Sequence, residues 1–524
     1  MKNVMYISCW VNPYVKVAQR LQEEHGYKPV FWVDCSIGTE KSQEMVLQSF
    51  PGIIYMKYMD AWKGRFPKNV EEKAQECYLD VDFLKRHAHH ELQAIKMLDR
   101  VDQDLRSFNF MERQRHFRNM LKYWTAVIDL YKPDLVIRAD IPHIVFDYVL
   151  YLLCEERHVP YITQHHTQFT NRFYYQKNNF YTLGDRFIND WHSYEGDLDV
   201  DGDIPNDIMS RYEMVNQDYE LGAPSFMKVL EDEEKEMDKP WFMIKRWFKK
   251  FTTIYRPYLS GKPAGNLIIG LCGLDKRANM KYEESEGNIY QHEKMILKVN
   301  KYKKQLKEAY ESLVTPPDYK KEEYVAFFLH YQPEATTCPG GDIFVDQRLC
   351  IELLLKNLPD NYKIYVKEHP HQFIKKHLGH TSRMRDLYDD LVKNKRVRLI
   401  STAIDSFEII NNAKAVCTIT GTAGWEGIVR QKPVIVFGIC WYENYNKGVC
   451  RITDEASAKN IISFIKNYKF DEHSLLAYLA SVGKNTCASN YLNDFRYSGK
   501  TYLEVSEEGC VNGMVNLIVE QVEA

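Results

Sequence analysis

Short apolar runs alternate with amphipathic, charged stretches at both ends of the chain. Val4 to Ser8 predicts a buried strand, Pro13 to Glu24 an amphipathic helix and Pro29 to Val33 a second strand, the opening of a βαβ unit. The same rhythm returns at Pro133 to Asp140, a strand with a polar end, then a helix over Ile144 to Glu156 and a short strand at Pro160 to Thr163. From 181 to 320 it is lost: charge and helix-forming residues dominate, interrupted by Gly202, Pro205, Pro257 and Pro263. It resumes at Tyr324 to Leu329, with a helix over Val345 to Leu355 and strands at Lys363 to Val366, Val397 to Ile400, Ala415 to Ile419 and Val434 to Phe437. A helix over Ala423 to Arg430 separates the last two strands, and Gly509 to Val522 has helical spacing. The pattern predicts an α/β protein with two Rossmann-like doubly wound domains, 1–180 and 321–495, joined by a helical insertion at 181–320 and followed by a helical tail at 496–524.

A chain of 524 residues suits two or three domains, and 45% hydrophobic with 27% charged residues is a globular composition. The formal net charge of −3 gives no global field for nucleic acid, so none is expected as a partner and any anion recognition must be local. The twelve cysteines are scattered without a C-x-x-C, which fits neither a zinc module nor a disulfide framework and points to a reducing cytoplasmic location. The N-terminus enters a strand-like run without the pattern of a signal peptide, and no stretch approaches the ~18 apolar residues of a membrane span.

Lys367, His369 and Pro370 follow an apolar strand, and some fifty positions on a second apolar strand ends in Thr420-Gly421-Thr422-Ala423-Gly424-Trp425-Glu426-Gly427. Parallel strands end at one edge of a sheet, so these groups converge where open α/β sheets bind ligands. Lys367 and His369 suit charge developing on a departing phosphate. Thr420 and Thr422 offer hydroxyls, Gly421 and Gly424 permit close approach, and the helix beginning near Ala423 directs its N-terminus at an anion. Glu426, one turn on, suits ribose hydroxyls. The same residues would also serve as a capped strand end, an ordinary strand-to-helix turn and a first-turn acid.

Leu329-His330-Tyr331-Gln332-Pro333-Glu334, Val345-Asp346-Gln347, Lys367-Glu368-His369-Pro370, the Thr420–Gly427 turn and Lys432 to Gly438 together resemble the C-terminal half of bacterial capsule and surface-polysaccharide biosynthesis glycosyltransferases, which include the β-Kdo transferases. The resemblance is dense from about 324 to 442. It implies the GT-B architecture of two Rossmann-like domains facing a cleft, no cofactor or metal, and a nucleotide-sugar donor seated mainly on the second domain. In that family the His-Pro pair contacts the cytidine monophosphate of a CMP-sugar, which maps to His369 and Pro370. A hydroxyl pair contacts its phosphate, and Thr420 and Thr422 stand where serines are common. Polyol-phosphate transferases share the His-Pro but carry Asp-Tyr-Ser-Ser at the turn. A noncatalytic sugar-nucleotide or glycan-binding subunit is the alternative from another class.

The acceptor hydroxyl needs a base, or the sugar a nucleophile. Asp140 leads, with His143 beside it. His165 and His166 follow the next strand, and alternation allows only one of them to face the cleft. Glu334 and Asp346 are candidates for the donor base or the acceptor, and Gln332 joins Glu334 as a substrate-binding candidate. Asp197 to Gly202 copies the opening of a calcium loop but has Ile208 at its twelfth position. His87, His90 and Glu91 share a helical face without further ligands, and Gly270 with Gly273 is too short for a dinucleotide fingerprint. At 241–256, Ile244, Trp247, Phe248 and Phe251 oppose Lys245, Arg246, Lys249 and Lys250, a pattern suited both to peripheral contact with an anionic membrane, where a lipid-linked glycan acceptor would lie, and to packing on the protein.

Overall fold

The computed structural model describes residues 1–36, 38–102, 108–167, 169, 172–178, 180, 184, 186–217, 241, 289–375, 377–489 and 505–523. The chain first lays down β1 (Lys2–Ile7), β2 (Tyr27–Val33), β3 (Ile54–Met56), β4 (Leu135–Arg138), β5 (Tyr161–His166) and β6 (Arg172–Lys177). A second set follows: β7 (Glu323–Phe328), β8 (Tyr362–Lys367), β9 (Val397–Ile400), β10 (Ala415–Thr418), β11 (Val434–Val436) and β12 (Val449–Arg451). The last strand, β13 (Cys487–Ala488), returns to the first sheet beside β6. The sheet orders are β13-β6-β5-β4-β1-β2-β3 and β12-β11-β10-β7-β8-β9. The second sheet is parallel throughout, and the first is parallel from β5 to β3 with an antiparallel edge at β6 and β13.

Parallel strands covered on both faces must be apolar on both. Val4 and Tyr6 point to one layer with Tyr14, Trp32, Met514 and Ile518, while Met5 and Ile7 point to the other with Phe31, Trp124 and Phe146. In the second sheet Val325, Phe327, Ile364 and Val366 meet Leu306, Tyr310 and Leu354. On its other side Val416, Val434 and Val436 meet Trp425, Ile428 and Tyr478.

The domain boundaries differ from those the sequence pattern suggests. The Ile289–Ser312 helix packs on the second domain, where the Tyr310 hydroxyl donates to the Ile400 carbonyl at 2.6 Å, so that domain includes residues ahead of 321. It gives way at β13, ahead of 495, and the Glu507–Glu523 helix covers the first sheet with Cys510, Met514 and Ile518. Within 181–320 the Arg186–Gly196 and Asn206–Gln217 helices are not a free connector. Trp191 and Ile208 pack in the second domain's core, and Trp191 Nε1 donates to Ser474 O on the Glu472–Asn485 helix at 3.0 Å. Periodicity reveals such helices but not which sheet face they cover. The stretch 242–256 proposed for membrane contact lies outside the described residues. No helix among the described residues is long and apolar enough to cross a membrane.

Strand order reverses between β1 and β4 in one sheet and between β7 and β10 in the other. Ligands of open α/β sheets bind outside the carboxyl ends of the strands at such reversals. The residues beyond those ends are Ser8 and Asp140 in the first domain, His330 and Thr420 in the second.

Candidate functional site

On the second domain, β7 ends at Phe328 and delivers His330 beside the turn that leaves β10. The Thr420 N–H donates to His330 Nε2 at 3.0 Å, and the Thr418 hydroxyl lies 2.9 Å from the same nitrogen. Nε2 is therefore an acceptor and the ring proton sits on Nδ1. Burial, with Arg383 nearby, pushes its pKa down to about 3, so the ring stays neutral. The Gly421 N–H in turn donates to Thr418 Oγ1 at 3.2 Å, and the Tyr442 hydroxyl to Gly421 O at 2.5 Å. A Cβ on Gly424 would meet the Tyr442 hydroxyl at 2.3 Å, and one on Gly421 would meet Thr418 Oγ1 at 2.7 Å. These glycines accommodate the protein's own side chains. The turn opens the Thr422–Val429 helix, and no side chain caps it among the described residues. The Ala423 end of this helix thus presents unpaired N–H groups and the positive end of its dipole at the sheet reversal.

His369 caps the short helical turn Pro370–Phe373: its Nδ1 accepts the His371 N–H at 3.1 Å. The ring proton must then sit on Nε2, the ring's remaining donor. Burial, reinforced by His371, His330, His377 and Arg383, holds its pKa well below the usual histidine value. His369 is thus a neutral N–H donor, where the sequence suggested half of a cationic pair. Lys367 is also differently placed, because its ammonium bonds Ile404 O and, at 2.9 Å, Ser406 Oγ. It ties the end of β8 to the loop after β9, and burial pulls its pKa down to about 8.

Gln332 is buried and saturated. Its backbone pairs with Gln372, its Nε2 donates to Val345 O at 2.8 Å, and its Oε1 accepts from Gln347 and Arg383. Its polar atoms are each engaged inside the protein, and it serves as a strut. The frame is completed by the buried pair Arg383 and Glu368, 2.8 Å apart. Arg383 also donates to His330 O at 2.7 Å, and Glu368 accepts from the His369 N–H at 2.8 Å and the Tyr388 hydroxyl at 2.6 Å. The backbones of His330 and His369 are therefore both tied to one ion pair, with Gln347 also holding the His330 N–H at 2.8 Å and its carbonyl at 3.1 Å. Glu426 is half-buried in reach of Arg211, Arg430, Thr422 and Lys367, and burial raises its pKa to about 7 against their pull.

Across the cleft, Asp140 follows β4 above a buried Arg138–Asp147 pair at 2.6 Å. His143 Nδ1 is 2.7 Å from Ile141 O and 3.5 Å from Asp140 Oδ2, so Nδ1 carries the proton and Nε2 keeps a lone pair. Burial raises the Asp140 pKa, but His143, Arg138 and His166 outweigh it and hold the carboxylate ionised. His143 itself is lowered by burial, with Asp140 opposing. His165 is the histidine that does not face the cleft: it stacks on Tyr174 at 5.1 Å, bonds Thr163 at 2.8 Å, and burial pulls it down to about 3. Its neighbour His166 lies within electrostatic reach of Asp140.

Glu334 is exposed, with the Thr336 hydroxyl at 2.8 Å, on a segment that meets both domains. Arg100 donates to Cys338 O at 2.9 Å and to His143 O, and His89 pairs with Asp342. Thr420 Oγ1 contacts Thr336 O at 3.3 Å. One loop thus connects the Thr420 turn to the Asp140–His143 wall. Sequence reading left His330, Arg383 and Arg100 unassigned. His330 had a signal, an imidazole at the end of an apolar strand like that of His369; the two arginines had none.

Residues 281–465 match a family model. That family is described as capsule polysaccharide biosynthesis protein. The second domain, with His330, His369 and the Thr420 turn, thus carries the sequence pattern of capsule polysaccharide biosynthesis proteins. No curated protein matches the chain. Among solved structures the chain is similar to KpsC of Thermosulfurimonas dismutans, a β-Kdo 2,7 transferase, at 17% identity over 49% of this chain and 67% of that one, with a TM-score of 0.23. A β-Kdo 2,4 transferase KpsC of the same organism shares 15% identity over 42% of this chain and 63% of that one, with a TM-score of 0.24. A UDP-GlcNAc 2-epimerase of Methanocaldococcus jannaschii shares 12% over 90% of this chain and 94% of that one, with a TM-score of 0.23. The match thus spans roughly two-thirds of either transferase chain. The two-domain α/β assignment rests on the sheets themselves.

Proposed function

We propose that this protein is a glycosyltransferase of capsule or surface-polysaccharide biosynthesis that transfers a sugar from a nucleotide donor, a CMP-sugar, to a glycan acceptor. The observation that carries the reading is the uncapped Thr422–Val429 helix at the reversal of strand order, with His369 at the end of β8, one strand beyond β7, in a tautomer that leaves Nε2–H as a donor on the same carboxyl edge of the sheet. These donors are neutral, and Lys367 and Arg383 are engaged internally. A CMP-sugar carries a single phosphate with one charge, whereas a nucleoside diphosphate sugar carries twice that, and neutral donors favour the former. The donor phosphate would sit on the Thr422 and Ala423 N–H groups and His369 Nε2, with the Thr422 hydroxyl in support, Pro370 against the base and Glu426 toward the ribose, while the Thr420 hydroxyl is engaged with Thr336 O.

In the transfer step the acceptor oxygen forms a bond to the anomeric carbon as the bond to the phosphate oxygen breaks, the electron pair leaving with CMP. The acceptor proton passes to His143 Nε2, and Asp140 stabilises the resulting imidazolium. If configuration is retained, Asp140 instead serves as the nucleophile. The protein would act in the cytoplasm, at the inner face of the plasma membrane if its acceptor is lipid-linked.

The deciding experiment is a thermal-shift panel of CMP, CDP, UMP, UDP and GDP, followed by assay with the matching sugar nucleotide. Selective stabilisation by CMP with turnover is expected. Selectivity for CDP would replace the reading with a polyol-phosphate transferase, and binding without turnover would replace it with a noncatalytic subunit.

A further inference from the structure

A depression open to solvent, of about 820 Å³, lies at the edge of the second sheet where the chain enters β12, at the amino ends of the strands and so opposite the carboxyl edge that carries the candidate site. Its wall is built from the Ile461–Asn467 helix and the loop leading into the Glu472–Asn485 helix. The volume falls within the roughly 300–1,000 Å³ of small-molecule clefts. Three rings, Phe464, Tyr468 and Phe470, and three amides, Asn446, Asn460 and Asn467, line it. Phe464 and Tyr468 stand 6.2 Å apart at 55°, so they present two inclined faces. The three amide side chains have no hydrogen-bond partner among the described residues, and each combines donors with an acceptor. The charged residues of the wall are two cations, Lys447 and Lys469, and two anions, Asp471 and Glu472, with Lys447 paired to Glu195 at 2.6 Å and to Asp471 at 3.2 Å, so their charges balance.

Rings with solvent-exposed amides and charges of both signs in equal number suit a ligand that has apolar C–H faces, many hydroxyls and no net charge. We infer that this cavity is a glycan-binding subsite, distinct from the transfer site, that holds a neutral oligosaccharide segment of the acceptor. The inference rests on the reading that the substrate is a glycan. A second hold on the same chain raises its effective concentration at the cleft, to the millimolar range for a short flexible tether, so the gain grows with acceptor length until the two sites are spanned.

The test is a fluorescence-anisotropy titration of the full chain with end-labelled chitotetraose and maltohexaose, an α2,8-linked sialic acid tetramer serving as the anionic control. At least one neutral probe should bind, and excess CMP should not displace it. Replacing both Phe464 and Tyr468 by Ala should weaken binding about tenfold or more, from two lost stacking faces. Asn467→Asp changes an exposed side chain and should also weaken binding without moving the melting temperature, which guards against misfolding of the aromatic variant. The proposal is overturned if no neutral probe binds, if both variants bind as the parent does, if CMP displaces the probe, or if only the anionic tetramer binds. Because the titration needs no donor, a chain that fails the nucleotide panel yet binds the neutral probe loses the transferase reading and keeps this site.

Discussion

A histidine does different work according to which nitrogen its surroundings claim. His330 and His369 both end apolar strands, yet Thr420 takes Nε2 of the first and the His371 N–H takes Nδ1 of the second. The first becomes part of the frame and the second keeps a donor. His369→Ala should therefore lower kcat about 10²–10³-fold, in the range of losing one preorganised donor, with an unchanged circular dichroism spectrum. A smaller effect than tenfold would remove it from the site. Glu426 makes a pH prediction. Its pKa rises from 4.5 to about 7 on folding, so the native state holds a proton that the unfolded chain releases. The contribution present below pH 4.5 is then lost as pH rises toward 7, a fall of up to about 3 kcal/mol. Glu426→Gln should flatten the dependence of denaturation midpoint on pH across that window, and an unchanged slope would contradict it.

At the scale of elements, the Thr422–Val429 helix is positioned by contacts its own sequence does not contain. Gly424 is needed because Tyr442 sits over it, so Gly424→Ala should cost about 1–3 kcal/mol from overpacking, with partial relief by Tyr442→Phe. Chemical denaturation of the single and double variants would measure both. The ends of β7 and β8 share a buried support, the Arg383–Glu368 pair. Arg383→Met leaves Glu368 without its partner and should cost about 3–5 kcal/mol, whereas replacing both by Met and Leu should recover part of that stability. If the double variant is as unstable as the single, the desolvation of the orphaned carboxylate is not the cause.

For the whole molecule, the path of the chain matters more than its segments. β13 and the Glu507–Glu523 helix leave the second domain to complete the first, where Met514 and Ile518 cover the face that holds Tyr6 and Trp32. A chain ending at 489 should expose that face, lower the first domain's melting temperature and aggregate. Calorimetry resolving two transitions would locate the loss, and a shift confined to the second domain would refute this packing.

The apolar strands, the helices between them and the His369 and Thr420 segments were legible from residue order, because strand and helix periods and turn chemistry are local properties. The Asp140–His143 pair was legible for the same reason, being three positions apart after a strand. The assignment of Lys367 and Gln332 to a strut role, the inward turn of His165 and the engagement of Arg100 with both domains were not. Each depends on which distant group meets a side chain, and that is settled by strand order and domain packing. A sequence can place a cation at the end of a strand, but only the tertiary structure determines whether Ser406 has already claimed it.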